Sequence, residues 1–124
     1  MEEQFIPYEL AIELRILGFD DYVFAFYWTD TKQLIFDSPD YLGKHNGVHL
    51  QAPLWQQAFD WFLNRGYFAD IKPDLIVTSL WSYKVVDINA KYNPENLHCY
   101  RFTHYRDARL ECLKKLIELC KNVK

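Results

Sequence analysis

Apolar residues recur at helical spacing in three places along this chain, near its start, its middle and its end, and the runs between them are short, aromatic and β-branched. A striped helix holds together in water chiefly by burying its stripe, and short strands need both a pairing neighbour and a covered face. The pattern therefore predicts an α+β protein: a single compact domain over residues 1–124, in which three helices pack on a largely antiparallel sheet of four or five strands. The expected order is α-β-β-α-β-β-(β)-α.

Each helix carries its own punctuation. Pro7 suits the first helical position, where its missing N–H would have had no partner, and Leu10, Leu14 and Leu17 follow on one face. Gly18 can take the left-handed conformation that closes a helix, which places Phe19 back near Leu14. The second helix repeats the scheme with Pro53 before it, Trp55, Ala58, Phe59 and Phe62 as its stripe, and Gly66 then Tyr67 after it. For the third, Thr103 is the expected N-cap, and Tyr105, Ala108, Cys112, Leu113, Leu116, Ile117 and Cys120 form the stripe.

Tyr22–Trp28 and Gln33–Phe36 read as a hairpin turning at Thr29–Lys32, and Leu75–Thr78 with Trp81–Ile88 as a second, with Tyr67–Ile71 as a possible extension. Cys99–Phe102 is a candidate fifth strand. Because side chains alternate along a strand, Tyr22, Phe24, Phe26 and Trp28 should share one face, expected to be core, and Val23, Ala25 and Tyr27 the other. Asp37–Ala52 and Asn89–Asn96 read as loops. Connections beyond about 12 to 15 residues are uncommon without a function, so the first is the preferred place for one.

Composition narrows the function classes. Half the residues are hydrophobic, 18% are aromatic and 25% are charged, which is the profile of a chain that folds around a core. The net charge of −3 disfavours broad nucleic-acid binding. The charge is uneven: residues 1–21 hold six acids against Arg15, whereas 106–124 hold six bases against three acids. Three cysteines without close spacing make neither a disulfide framework nor a zinc knuckle. The opening MEEQFIPYEL lacks a signal-peptide pattern and no apolar run approaches the ~20 residues that cross a bilayer, so a soluble cytoplasmic protein is expected, with no membrane partner.

The strings FIPYELAIELRILGFD, APLWQQAFDWF and LECLKKLIEL, about a third of the chain, resemble small uncharacterised proteins of Bacteroidetes phages and prophages. These strings are helix faces and caps. The resemblance implies a shared scaffold and a mobile-element setting, and it carries over no activity and no catalytic residue. His104, Tyr105, Arg106 and Asp107 stand where that group is expected to be more acidic.

No stretch carries a catalytic signature. His45 and His49 lie four apart, but Asn46 and Gly47 make their segment a turn rather than a helix face that would hold a metal, and no cofactor is implied. Asp20 with Asp21, or Asp37 with Asp40, would serve a small hydrolase only if burial drove their ionisation apart, and both pairs sit among turn residues. The aromatics point instead to a non-enzymatic interaction protein. It would bind a protein partner or a second copy through a ring-bearing sheet face and the 37–52 loop, with Tyr41, Lys44, His45 and His49 from the loop and Trp81, Tyr83 and Lys84 from the sheet. The alternative is single-stranded nucleic acid, held by Lys114, Lys115, Lys121 and Lys124 with exposed rings stacking on bases.

Overall fold

The computed structural model of the chain describes residues 2–36, 49–73, 80–88, 96–98 and 101–122. It shows the α+β class, and among the described residues there are three α-helices and six strands, which fall into two antiparallel three-stranded sheets. The chain forms two compact units, Met1–Ala58 and Phe59–Lys124.

In the first unit, a short 3-10 turn at Glu2–Gln4 leads into α1, Tyr8–Leu17. Pro7 stands one position earlier than its sequence role suggests. It is the cap, and its carbonyl accepts from the N–H groups of Leu10 and Ala11. The helix ends as expected: Gly18 takes φ 107°, its N–H donates to the Arg15 carbonyl, and Phe19 N–H reaches the Leu14 carbonyl at 2.9 Å. Phe19 and Leu14 are both buried.

β1 (Ala25–Trp28) is the centre of the first sheet, between β2 (Leu34–Ile35) and β3 (His49–Ala52), antiparallel to both. The hairpin from β1 to β2 turns where the sequence places it. Lys32 takes φ 59°, and the Asp30 carboxylate accepts from Thr31 N–H at 2.8 Å. β3 corrects the reading of Asp37–Ala52 as loop throughout, since its last four residues pair with β1 along its whole length. Residues 37–48 lie outside the described residues. In β3 Leu50 and Ala52 are buried while His49 and Gln51 are half-buried, the alternation of a strand with one covered face.

The register sorts side chains cleanly. Ala25, Tyr27, Leu50, Ala52 and Leu34 share the face toward α1, where Tyr27 meets Tyr8 edge to face and its hydroxyl donates to the Ile6 carbonyl at 2.7 Å. Phe26, Trp28, Ile35, His49 and Gln51 share the opposite face. The expected core assignment holds at Trp28, which is buried, and fails toward the start of the run: Val23, Ala25 and Tyr27 are buried and Phe26 is half-buried, whereas Tyr22 is 84% exposed and Phe24 62%. The physical reason is size. Ala25 lies opposite Ala52, both fully buried, and two methyl-sized side chains let a helix approach the sheet where a row of rings would hold it off.

The unit boundary falls within α2, Trp55–Asn64. Leu54 N–H donates to the Gln57 carbonyl oxygen Oε1 at 2.9 Å, the reciprocal half of a capping box, and Leu54 O opens the helix by accepting from Ala58. The buried stripe is Trp55, Ala58, Trp61 and Phe62, with Trp61 in the place expected for Phe59, which is half-buried.

In the second unit Gly66, at φ 96°, ends α2 and β4 (Tyr67–Pro73) begins at once. β4 pairs with β5 (Trp81–Asp87), and β5 with β6 (Asn96–His98), all antiparallel. The partner of β5 is thus the stretch read only as an extension. Leu75–Thr78 lies outside the described residues, as does most of Asn89–Asn96. The Cys99–Phe102 strand is met only at its end, where Phe102 exchanges two 2.8 Å backbone hydrogen bonds with Trp81. Ile88 N–H donates to Gly66 O, which makes Tyr67, Ala69, Ile71 and Pro73 the positions whose backbone groups face away from β5. Pro73, with no N–H to offer, sits at one of them on the edge strand, the place where a proline costs a sheet nothing.

α3, Tyr105–Asn122, covers Tyr67, Ala69, Tyr83 and Val85 of this sheet with Ala108, Cys112, Leu113, Leu116 and Ile117. Its cap is His104, whose carbonyl accepts from Asp107 and Ala108, and not Thr103, which lies one residue too early. Among the described residues no helix is long and apolar enough to cross a membrane.

Candidate functional site

Of the residues expected to bind, Tyr41, Lys44 and His45 lie outside the described residues. His49 does not belong to a loop: it is the first residue of β3, paired with Trp28, and its imidazole meets the Phe26 ring edge to face at 5.4 Å. Trp81, Tyr83 and Lys84 do not form one surface. Tyr83 is buried and stacks on Phe102, Trp81 packs edge-on against Tyr105, and Lys84 points to the opposite side of the sheet across from Asp70. On the helix side of β5 Tyr83 is therefore core, and Trp81 is half-buried beside it.

A different aromatic surface stands in the first unit. Residues 20–24 run as an irregular extended segment between α1 and β1, and two glutamine side chains hold it. Gln51 Nε2 from β3 donates to the Asp21 carbonyl at 2.9 Å, and Gln57 Nε2 from α2 donates to the Tyr22 carbonyl at 2.9 Å. Val23 is 4% exposed and anchors the segment from below. With both flanking carbonyls tied and Val23 buried, Tyr22 and Phe24 are directed outward, where they meet each other edge to face with centroids 6.4 Å apart. Asp20 and Asp21 beside them are exposed. Because Gln51 lies on the face of Phe26 and His49, the ledge adjoins that face through the Asp21 backbone.

Sequence reasoning missed the two glutamines. Gln57 sits on the polar side of a helix stripe and Gln51 within a presumed loop, and neither position has a pattern that announces a backbone clamp. The ledge itself had a legible sign in the acid pair preceding Tyr22, since a strand end entering the core would not open on two carboxylates.

Among the described residues of the second unit, Cys120 and Tyr67 form a perturbed cluster. Burial pushes the Cys120 thiol above its ordinary value, opposed in part by the nearby Arg65 guanidinium, which itself lies 3.9 Å from the centroid of the Trp61 ring. Burial also raises the Tyr67 hydroxyl, and Cys120 and Asp87 add to the effect. A thiol held in its neutral form is a poor nucleophile. The folded state therefore keeps the Cys120 proton to higher pH than the unfolded state does, so this contribution to stability is intact below the ordinary thiol value of 9.0 and is lost as pH rises through the raised value. Urea midpoints measured from neutral to alkaline pH should fall less steeply for Cys120→Ser than for the native chain. Parallel curves would contradict the assignment.

Among the described residues no three His, Cys, Asp or Glu side chains come together as metal ligands. On α3, Lys114 pairs with Glu111 and Lys115 with Glu118, so two of the four lysines expected to meet phosphate already face a carboxylate, and Lys124 lies outside the described residues. Compared with family models, with curated proteins and with solved structures, the chain finds no match.

Proposed function

We propose that the chain is a non-enzymatic binding module whose contact surface is the Tyr22–Phe24 ledge with the adjoining Phe26 and His49, and that its partner is a protein. The observation that carries this reading is the double clamp: an exposed aromatic pair whose segment is held by side-chain hydrogen bonds to the Asp21 and Tyr22 carbonyls. Singly exposed apolar residues such as Ile16 are ordinary on a protein surface. Adjacent rings on an anchored backbone are different, because their backbone is tied before a partner arrives and association is spared that part of the entropy. Tyrosine and phenylalanine also bring large contact area with few rotatable bonds.

Covering both rings yields on the order of 3 kcal/mol of apolar burial, about a hundredfold in affinity. The resemblance of the helix strings to phage and prophage proteins supports an accessory role in a mobile element, acting in the cytoplasm. The test is a selection of binding peptides from a random display library against the full chain, followed by affinity measurement on Tyr22→Ser/Phe24→Ser. The double substitution is expected to weaken the recovered binders about a hundredfold. Equal binding to both proteins would remove the ledge from the function.

A further inference from the structure

Resting on that reading, we infer that the ledge is built for a basic partner segment, one that sets Lys or Arg beside an apolar side chain, and not for a second copy of this chain. The argument is electrostatic. Asp20 and Asp21 are exposed and immediately precede Tyr22, and the stretch up to residue 21 is acidic as a whole, with six carboxylates against Arg15. Neither Asp20 nor Asp21 forms an ion pair among the described residues. Two copies meeting ledge to ledge would bring four carboxylates to the rim of one apolar contact, and like charges across an interface exclude a partner more effectively than matched charges attract one.

A cation reverses each of these terms. It is attracted by the two carboxylates, and its approach to the Tyr22 and Phe24 rings is favourable because their faces carry negative charge density. The aliphatic stem of Lys or Arg lies along the rings while its head reaches the acids. The surface thus presents apolar area and negative charge within three consecutive residues, Asp20 to Tyr22, with Phe24 completing the platform. An acidic or uncharged apolar segment would satisfy only the rings.

The same library selection decides the matter through two separate comparisons. Peptides recovered on the native chain are expected to be enriched in Lys and Arg next to Leu, Trp or Phe, to bind Asp20→Asn/Asp21→Asn at least tenfold more weakly, and to weaken as salt is raised. Recovery of acidic or neutral peptides that bind Asp20→Asn/Asp21→Asn unchanged overturns this inference and leaves the ledge reading standing, because those peptides would still be lost on Tyr22→Ser/Phe24→Ser. Peptides indifferent to Tyr22→Ser/Phe24→Ser, or no enrichment at all, overturn the reading beneath it. Sedimentation of the native chain should show a monomer, and a dimer abolished by Tyr22→Ser/Phe24→Ser would assign the ledge to self-association and overturn the basic partner.

Discussion

Phe62→Ala is expected to lower the unfolding free energy by about 3–5 kcal/mol, the range found when a large ring is deleted from a packed interior. Phe62 is fully buried and is the largest such side chain among the described residues, and its ring meets Trp61 edge to face with centroids 5.0 Å apart. Truncation removes both the transfer free energy of the ring and the contacts its neighbours make with it, and a rigid helix cannot collapse into the space. The next residue supplies the control. Leu63 is exposed, so Leu63→Ala should stay within about 0.5 kcal/mol. Urea denaturation followed by tryptophan fluorescence checks both, with the midpoint moving for Phe62→Ala while the slope is kept. Equal midpoints for the two variants would mean that the stripe of α2 faces elsewhere.

The helices were legible in the sequence because their signals are local and redundant. Gly18 and Gly66 take the positive φ that a helix-closing glycine supplies, and the stripe of α3 from Ala108 to Ile117 is buried as its spacing implies. Caps were placed to within a residue or two, since a cap depends on where the chain turns and not on residue type alone; His104 displaces Thr103 for that reason. The strands were harder. Whether Asp37–Ala52 contained one depended on pairing with β1, a contact remote in sequence, although the alternation of His49, Leu50, Gln51 and Ala52 is there to be read. The division into two sheets follows from which strands pair: β3 joins β1 across the chain, whereas β4 follows Gly66 directly and takes the next strand, β5, as its neighbour.

The candidate site was the least legible part, and the cause is specific. From Tyr22 to Trp28 both alternating sets are apolar, so periodicity alone cannot say which faces inward. Ring size points to the set that is buried only at Trp28. Volume at the helix contact decided otherwise, and the buried row is the one with the small residues Val23 and Ala25. Tyr83 illustrates the converse: a ring expected on an open face is buried and stacks on Phe102, while Trp81 beside it is half-buried against Tyr105.

The burial of Val23 between two exposed rings carries the second large effect. Val23→Asp is expected to destabilise the protein by about 4 kcal/mol, near the upper end of what single substitutions do, because it places a carboxylate at a 4% exposed site. The same substitution at either neighbour has no such consequence: Tyr22→Asp and Phe24→Asp put the charge in water and should change stability by about 0.5 kcal/mol or less. The three variants differ by one position each, so strand propensity and added charge are nearly constant and burial is what remains. Thermal or urea unfolding of the three side by side measures it. A large loss at Tyr22 or Phe24 with little at Val23 would restore the opposite face as core. It would also dissolve the ledge, since rings needed inside cannot be the rings offered to a partner.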